Sequence, residues 1–505
     1  LKVITQQDLI NWKIKTNAPK SDEEILKELI NEDRKSAVKK RMNEGDEYYR
    51  LKHDICDRRI MYIDGTTLKE DKLATNNRLV HPFHRNLVDQ KKDTILSKPP
   101  SIDCEDETQK ETIMGLIDGM TIEDDNLKNP KKEYKNFLRK FTSLLKGASN
   151  KGVEWINVYR DKTEGAPIRW AVVDARQCIP IWETVYQEKL SGMIRYYSVS
   201  TTIASDESQD LITAEWWDDK NVRRFQQQSD GSYLLLSTEP HWQVVFSGNA
   251  EPQPNSLGTV PWIPVANNDE YITDLEAIKS LIDDYDLLTS DRSNTLTDLQ
   301  DAILAVKGYE GDSEVELRLK IKHNKIIRLS TDSEADAKAI TYEPPSQAHT
   351  EHLDREERDI HLFGRGVKMR SDEAGGNPSG VALKMMTTWL LLKCSAAEAG
   401  LSIAFSQLVW FITEYLKEKG ISYDPSAISI KFNQALILNE SEVIDNCVNS
   451  KGVSDLETIV SHHPWNVDPK TVLDNLKNET LELAAIDNAV GTQKIDKMGL
   501  SGEGK

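Results

Sequence analysis

The chain has 505 residues, enough for about three domains, and combines 38% hydrophobic with 29% charged residues, which excludes a disordered polypeptide. Its formal net charge of -19 excludes a protein that coats nucleic acid through a broad basic surface. That charge still permits one past which nucleic acid slides without sticking.

Residues up to about Arg59 read as helices, the clearest being the amphipathic Asp22–Ile30. A turn at Gly65 follows Met61-Tyr-Ile63, and a helix over Phe83–Leu96 is closed by Pro99-Pro100. Further helices are predicted at Glu107–Asp118 and Lys131–Lys146. Beyond Lys151-Gly152 come short runs rich in β-branched and aromatic residues: 153–159, 168–173, 192–198, 211–217, 232–236 and 241–246. Their regular spacing predicts an antiparallel β-rich domain, closed by Val260-Pro-Trp-Ile-Pro-Val265. Its Trp and Tyr residues sit among Asp and Glu as often as among Arg and Lys, so core packing is expected over base stacking.

Tyr271–Leu304 has helical spacing, with one apolar face and one crowded with aspartates that only Lys279 and Arg292 answer. That acidic face is expected to meet solvent or a wet channel. A small insert follows: a strand at 303–306, a helix at 313–322 and a strand at 325–329, before a second helix over Gln347–Phe363. Then come the Gly-rich stretch Met369-Arg-Ser-Asp-Glu-Ala-Gly-Gly-Asn-Pro-Ser-Gly380 and a helix of about forty residues, N-capped by Ser379 and stopped at Lys419-Gly420. Glu398, Ser402, Ser406, Gln407 and Glu414 interrupt its most apolar window, so burial in protein is expected rather than a membrane span. A strand at 428–432 and helices at 441–450, 456–461 and 469–487 complete an α+β, mainly helical chain with a mobile tail after Gly491.

Catalytic patterns are missing from the sequence: it contains no GxSxG, HExxH or CxxC, and no GxGxxG behind a strand. Gly375-Gly376-Asn377 could cradle a phosphate at a helix N-terminus, but no Lys–Ser pair completes a nucleotide site. The terminal Gly499-Leu-Ser-Gly-Glu-Gly-Lys505 has neither the strand nor the helix that a phosphate loop needs. The five cysteines are scattered, which gives no zinc site or disulfide framework and suits a reducing cytoplasm. His349, His352 and His361 are read as a solvated helix face, and no metal or cofactor is expected. The first residues are polar and charged, so no signal peptide is expected.

Several stretches resemble the portal proteins of tailed double-stranded-DNA bacteriophages, in particular the long-tailed phages of Gram-positive bacteria. They are Thr75-Asn-Asn-Arg, Leu87-Val-Asp-Gln-Lys91, Ser149-Asn-Lys-Gly-Val-Glu-Trp155, Val260-Pro-Trp-Ile-Pro with Asn267-Asn268, Ile278-Lys-Ser-Leu-Ile-Asp-Asp-Tyr285 and Ser379-Gly-Val-Ala-Leu383. Ser97-Lys-Pro99 departs from the pattern, in which many relatives place glycine before the proline. The acidic tail common in the family is also missing, and with a start at Leu1 this gives the expectation of trimmed ends.

The resemblance implies a subunit of a ring, usually of twelve, at one capsid vertex in the virion, assembled in the host cytoplasm. Residues 1–270 would form the wing, 271–304 and 347–368 the stem helices, 305–346 an αβ clip and 369–380 a tunnel loop. Residues 381–440 would be the long wing helix with its return, 441–490 a helical crown and 491–505 the tail. It further implies that double-stranded DNA passes through the ring during packaging and ejection. Lys368, Arg370, Asn377 and Lys384 would be its contacts, beside Asp372, Glu373, Gly375 and Gly376 of the loop. Lys307, Arg318, Lys320, Lys322, Lys325 and Arg328 in the clip would dock the terminase motor and later the head–tail adaptor, with major capsid and scaffolding proteins as further partners. The alternative is a DNA-processing enzyme of a packaging machine, a nuclease or an ATPase.

Overall fold

The computed structural model describes residues 3–14, 20–64, 66–72, 74–121, 134–161, 166–200, 210–244, 253–254, 257–298, 303–307, 336–340, 346–368, 380–434, 440–463 and 472–479. Its contacts divide the chain into two units: Leu1–Lys368 with Trp389–Ala435, and Met369–Thr388 with Leu436–Lys505.

In the first unit, helices α1 (Gln6–Ile14), α2 (Asp22–Arg34) and α3 (Ala37–Tyr49) lead to a hairpin of β1 (Met61–Asp64) and β2 (Thr67–Glu70). Helix α2 begins in a capping box: the Ser21 hydroxyl accepts from the Glu24 amide while the Glu24 side chain accepts from the Ser21 amide. Helix α4 (Phe83–Leu96) and strand β3 (Ser101–Cys104) precede α5 (Glu107–Asp118) and α6 (Lys135–Lys151), so α6 runs to the glycine that stops it.

The β-rich region is antiparallel, as its spacing predicts, and divides between two main sheets. Strands β4 (Val153–Arg160) and β5 (Ile168–Val173) pair with the later β13 (Trp262–Ala266), in the order β13-β4-β5. Strands β6 (Cys178–Trp182), β7 (Leu190–Ser200), β8 (Asp210–Trp217), β9 (Asn221–Gln227) and β10 (Tyr233–Pro240) make a five-stranded meander. A short pair, β11 (Gln243–Val244) and β12 (Gln253–Pro254), follows. While β10 at its edge is largely exposed, the centre of the meander is covered on both faces. Adjacent residues Trp216 and Trp217 alternate between them: Trp216 packs with Ile25, Leu26, Leu29 and Ile30 of α2, and Trp217 with Trp155 and Trp262 of the other sheet. Each of those four α2 side chains stabilises the fold by about 1.5–3 kcal/mol through burial. The tryptophans are therefore core, as their mixed acidic and basic surroundings predict.

Helix α7 spans Lys279–Asp298, starting eight residues later than its periodicity suggests. Strands β14 (Ile303–Lys307) and β15 (Asp336–Ile340) pair antiparallel, and α8 (Ser346–Phe363) follows. The expected helix at 313–322 and strand at 325–329 lie outside the described residues. Helix α9 runs 39 residues, Gly380–Glu418, close to the predicted span. It is long and apolar enough to cross a membrane, but Cys394, Ala397, Leu401, Phe405, Leu408, Ile412 and Leu416 are buried against α5, α6 and the three-stranded sheet. Strand β16 (Ile428–Lys431) then pairs with β3. In the second unit, α10 (Glu440–Asn449), α11 (Leu456–His462) and a helix at 472–479 are described, with Cys447 and Val460 buried.

Candidate functional site

Helices α7 and α8 run antiparallel. Ile278 and Ile282 share a buried cluster with Ile360, Asp284 meets His352, and Arg292 Nη1 donates to Thr350 Oγ1 at 3.3 Å. Residue numbers rise along one helix as they fall along the other. Several aspartates of α7 find partners beyond their own helix, which corrects the expectation that only Lys279 and Arg292 answer them. Asp286 is fully buried, with its Oδ2 2.6 Å from His53 Nδ1 and its Oδ1 2.7 Å from His81 Nδ1. Burial pushes this carboxyl up, but its bonds to the two histidines outweigh burial and hold it below the usual carboxylate range. Asp291 pairs with Arg58 at 2.5 Å, and Asp283 with Lys279 at 2.8 Å and with the Tyr48 hydroxyl.

The stretch holding Asn76-Asn77-Arg78 lies along α7. The amides of Asn77, Leu79 and His81 donate to Asn294 Oδ1 at 2.7 Å, Ser290 Oγ at 2.9 Å and Asp286 Oδ1 at 3.0 Å. Every second residue of an extended chain thus meets every fourth residue of a helix. The two repeats match, since two extended residues rise about 6.6 Å and four helical ones about 6 Å. This ladder ties the N-terminal helices to the helix pair.

Where α7 begins, a second polar network forms. Asp274 receives Lys91 of α4 at 3.3 Å and Lys393 of α9 at 3.2 Å, and its Oδ1 accepts from Asn267 Nδ2 at 2.9 Å. Burial would raise the Asp274 carboxyl, but the charges of Lys393 and Lys91 and the Asn267 bond hold it far below the usual range. Lys393 also donates to the Gly364 carbonyl at 2.9 Å, and Lys91 to Asn267 Oδ1 at 2.5 Å. The chain leaving α8 is held by Gln90 of α4, whose side chain bonds both the amide and the carbonyl of Val367 at 2.9 Å. Gly366 allows this approach, because a Cβ there would lie 2.0 Å from Leu87 Cδ2.

Of the predicted DNA contacts, Lys368 sits at this point with its side chain 14% exposed, 3.4 Å from Glu357. Lys384 lies near the start of α9, and Lys307 stands opposite Asp336 in the β14–β15 register. Arg370, Asp372, Glu373, Gly375, Gly376 and Asn377 lie outside the described residues, as do Arg318, Lys320, Lys322, Lys325 and Arg328.

The three histidines of α8 do not share one solvated face. His361 stands edge-on to Phe83 with ring centroids 5.9 Å apart, and its Nδ1 is 2.7 Å from the Glu357 carbonyl. His352 lies between Asp284 and Glu356, and the three offer ligand atoms within 4.8 Å of one another. Burial, then a side-chain hydrogen bond with Asp284, pushes the Glu356 pKa up to about 8.

A family profile described as "Phage portal protein, SPP1 Gp6-like" matches residues 27–484. The chain belongs to this portal protein family. The portal protein of Bacillus phage SPP1 is 27% identical over 474 residues, covering 92% of this chain and 87% of the relative. The portal protein of Clostridium phage phiCD119 is 26% identical over 453 residues, covering 88% and 92%. Among solved structures, the neck of a native gene transfer agent particle computed with C12 symmetry is similar to 76% of this portal protein at 10% identity, with a TM-score of 0.39 and 90% of that chain covered. Portal proteins are structural channel components of the phage capsid rather than enzymes, and nothing in these relatives favours the nuclease or ATPase alternative.

Proposed function

We propose that this portal protein assembles as a closed ring, usually of twelve copies, at one capsid vertex of a virion, with double-stranded DNA passing through it during packaging and ejection. The observation that carries this reading is the extent of the match: two portal proteins align over 87% and 92% of their own lengths. The charge supports it. DNA binds where many Lys and Arg neutralise phosphates, so a conduit that must release DNA benefits from an acidic chain of net charge -19.

In this reading α7 and α8 are the stem, residues 305–346 the clip and 369–380 the tunnel loop. Since Lys368 is already engaged by Glu357, transient phosphate contacts fall to Arg370, Asn377 and Lys384. The clip cations Lys307, Arg318, Lys320, Lys322, Lys325 and Arg328 dock an acidic surface of the terminase motor, and afterwards the head–tail adaptor. Major capsid and scaffolding proteins meet the wing, and assembly takes place in the host cytoplasm. Trp389, Leu392 and Ile403 of α9, each more than half exposed in the single chain, are covered by a ring neighbour.

Negative-stain images of the purified protein test the proposal. End-on views with a central hole are expected; particles without a closed ring overturn it.

A further inference from the structure

We infer that Asp284, His352 and Glu356 form a divalent transition-metal site that staples α7 to α8. His352 and Glu356 stand one helical turn apart on α8 and so share a face, and Asp284 reaches the same point from α7. His352 Nε2 is 3.6 Å from Asp284 Oδ2 and 3.4 Å from Glu356 Oε1. Ligands bound tetrahedrally at zinc distances of 2.0–2.1 Å are about 3.3 Å apart, so these two separations already approach the edges of a coordination tetrahedron.

A second observation points to a ligand. Glu356 is only 5% exposed, yet its Oε2 is buried without a hydrogen-bond partner. A desolvated carboxyl oxygen without a partner is costly. A cation between the helices would satisfy it. The side chains of His352 and Asp284 are 45% and 48% exposed, so an ion can enter from solvent and keep a water as its fourth ligand.

The donor set fixes the class of ion. One imidazole nitrogen with two carboxylates suits zinc, cobalt or manganese, whereas magnesium and calcium favour all-oxygen surroundings. The site depends only on the pairing of α7 with α8, and it stands whether or not the channel reading does.

The test uses the full-length protein, stripped with chelator, desalted and titrated calorimetrically with zinc chloride. Cobalt absorption serves to report an ordered site. One zinc per chain and a raised melting temperature are expected, with excess magnesium unable to compete. Asp284→Asn and His352→Ala replace half-exposed side chains, and each should weaken zinc at least about tenfold. His349→Ala, one turn away on the same helix, should bind as the parent does. Absence of zinc binding, binding unchanged in Asp284→Asn and His352→Ala, or equal loss in His349→Ala would each overturn the assignment.

Discussion

Gln90 grips Val367 from both sides, its side-chain oxygen accepting the Val367 amide and its NH2 donating to the Val367 carbonyl, each at 2.9 Å. The arrangement imitates one rung of a β-ladder and fixes the chain two residues before position 369. Gln90→Ala leaves that partly buried backbone pair without a protein partner, at a cost of about 1–3 kcal/mol. A lower melting temperature with rings still forming is expected. DNA packaging should fall, because the segment that follows loses its fixed starting point.

The ladder between residues 77–81 and α7 makes a second prediction. Ser290 Oγ accepts from the Leu79 amide at 2.9 Å and donates to the Asp286 carbonyl at 2.6 Å, with no exposure to solvent. Ser290→Ala orphans the Leu79 amide and should cost about 1–2 kcal/mol in urea unfolding. Asn294→Ala removes the neighbouring rung. The two losses share one extended segment, so their double mutant should deviate from additivity, as a mutant cycle would show.

At Asp274 a single carboxylate answers two lysines. Asp274→Asn keeps the shape but leaves Lys91, 1% exposed, and Lys393 without their counter-charge. Breaking one side of a buried pair costs about 3–5 kcal/mol, well above any surface pair. The unfolding free energy from urea titration should drop by that amount, as a lower midpoint with an unchanged slope.

What was legible in the sequence follows from how far apart the interacting residues lie. Helix α9 was visible because its apolar residues repeat every three or four positions, and α2 because Ile25, Leu26, Leu29 and Ile30 fall on one face of an amphipathic pattern. Strand β6 was hidden by Pro180 at its centre; it is tolerated because β6 is an edge strand of the meander, where a missing donor breaks no inner ladder. Strand β9 was hidden by its arginines and glutamines, with only Val222 and Phe225 buried. Residues 271–278 keep helical spacing but are held in turns, where Asn268 Nδ2 donates to the Ile272 carbonyl and Asn268 Oδ1 accepts the Ile272 amide, both at 2.9 Å. The polar sites were the least legible. The partners of Asp286 and Asp291 lie more than 200 residues upstream, and the spacing of His352 and Glu356 says nothing of Asp284 until α7 and α8 are paired.

Acid should loosen the first unit through His84. This ring is fully buried, 3.1 Å from Asn150 Oδ1, and burial pushes its pKa from 6.5 down to about 4. Below pH 6.5 the unfolded chain takes up a proton that the folded chain refuses until about pH 4. The stabilisation from the neutral buried ring is therefore complete above pH 6.5 and lost between 6.5 and 4, amounting to about 3 kcal/mol. Urea unfolding at pH 7.5 and 4.5 measures the loss. His84→Gln should flatten the pH dependence by about that amount, whatever its own effect at pH 7.5.

The Gly-rich segment decides whether DNA meets the ring where proposed. Removing Glu373–Asn377 deletes Gly375, Gly376 and Asn377, which could offer phosphates only weak amide contacts, while Arg370 and Lys384 remain. The rungs at Val367 and the Lys393–Gly364 bond lie outside the deletion and still hold the chain leaving α8. Ring formation should thus survive, judged by size and by end-on images, while packaging or retention of DNA falls in a DNase-protection assay. If rings fail to form, the segment is part of the subunit contact instead, and the channel contacts must be sought on Arg370, Lys384 or another surface.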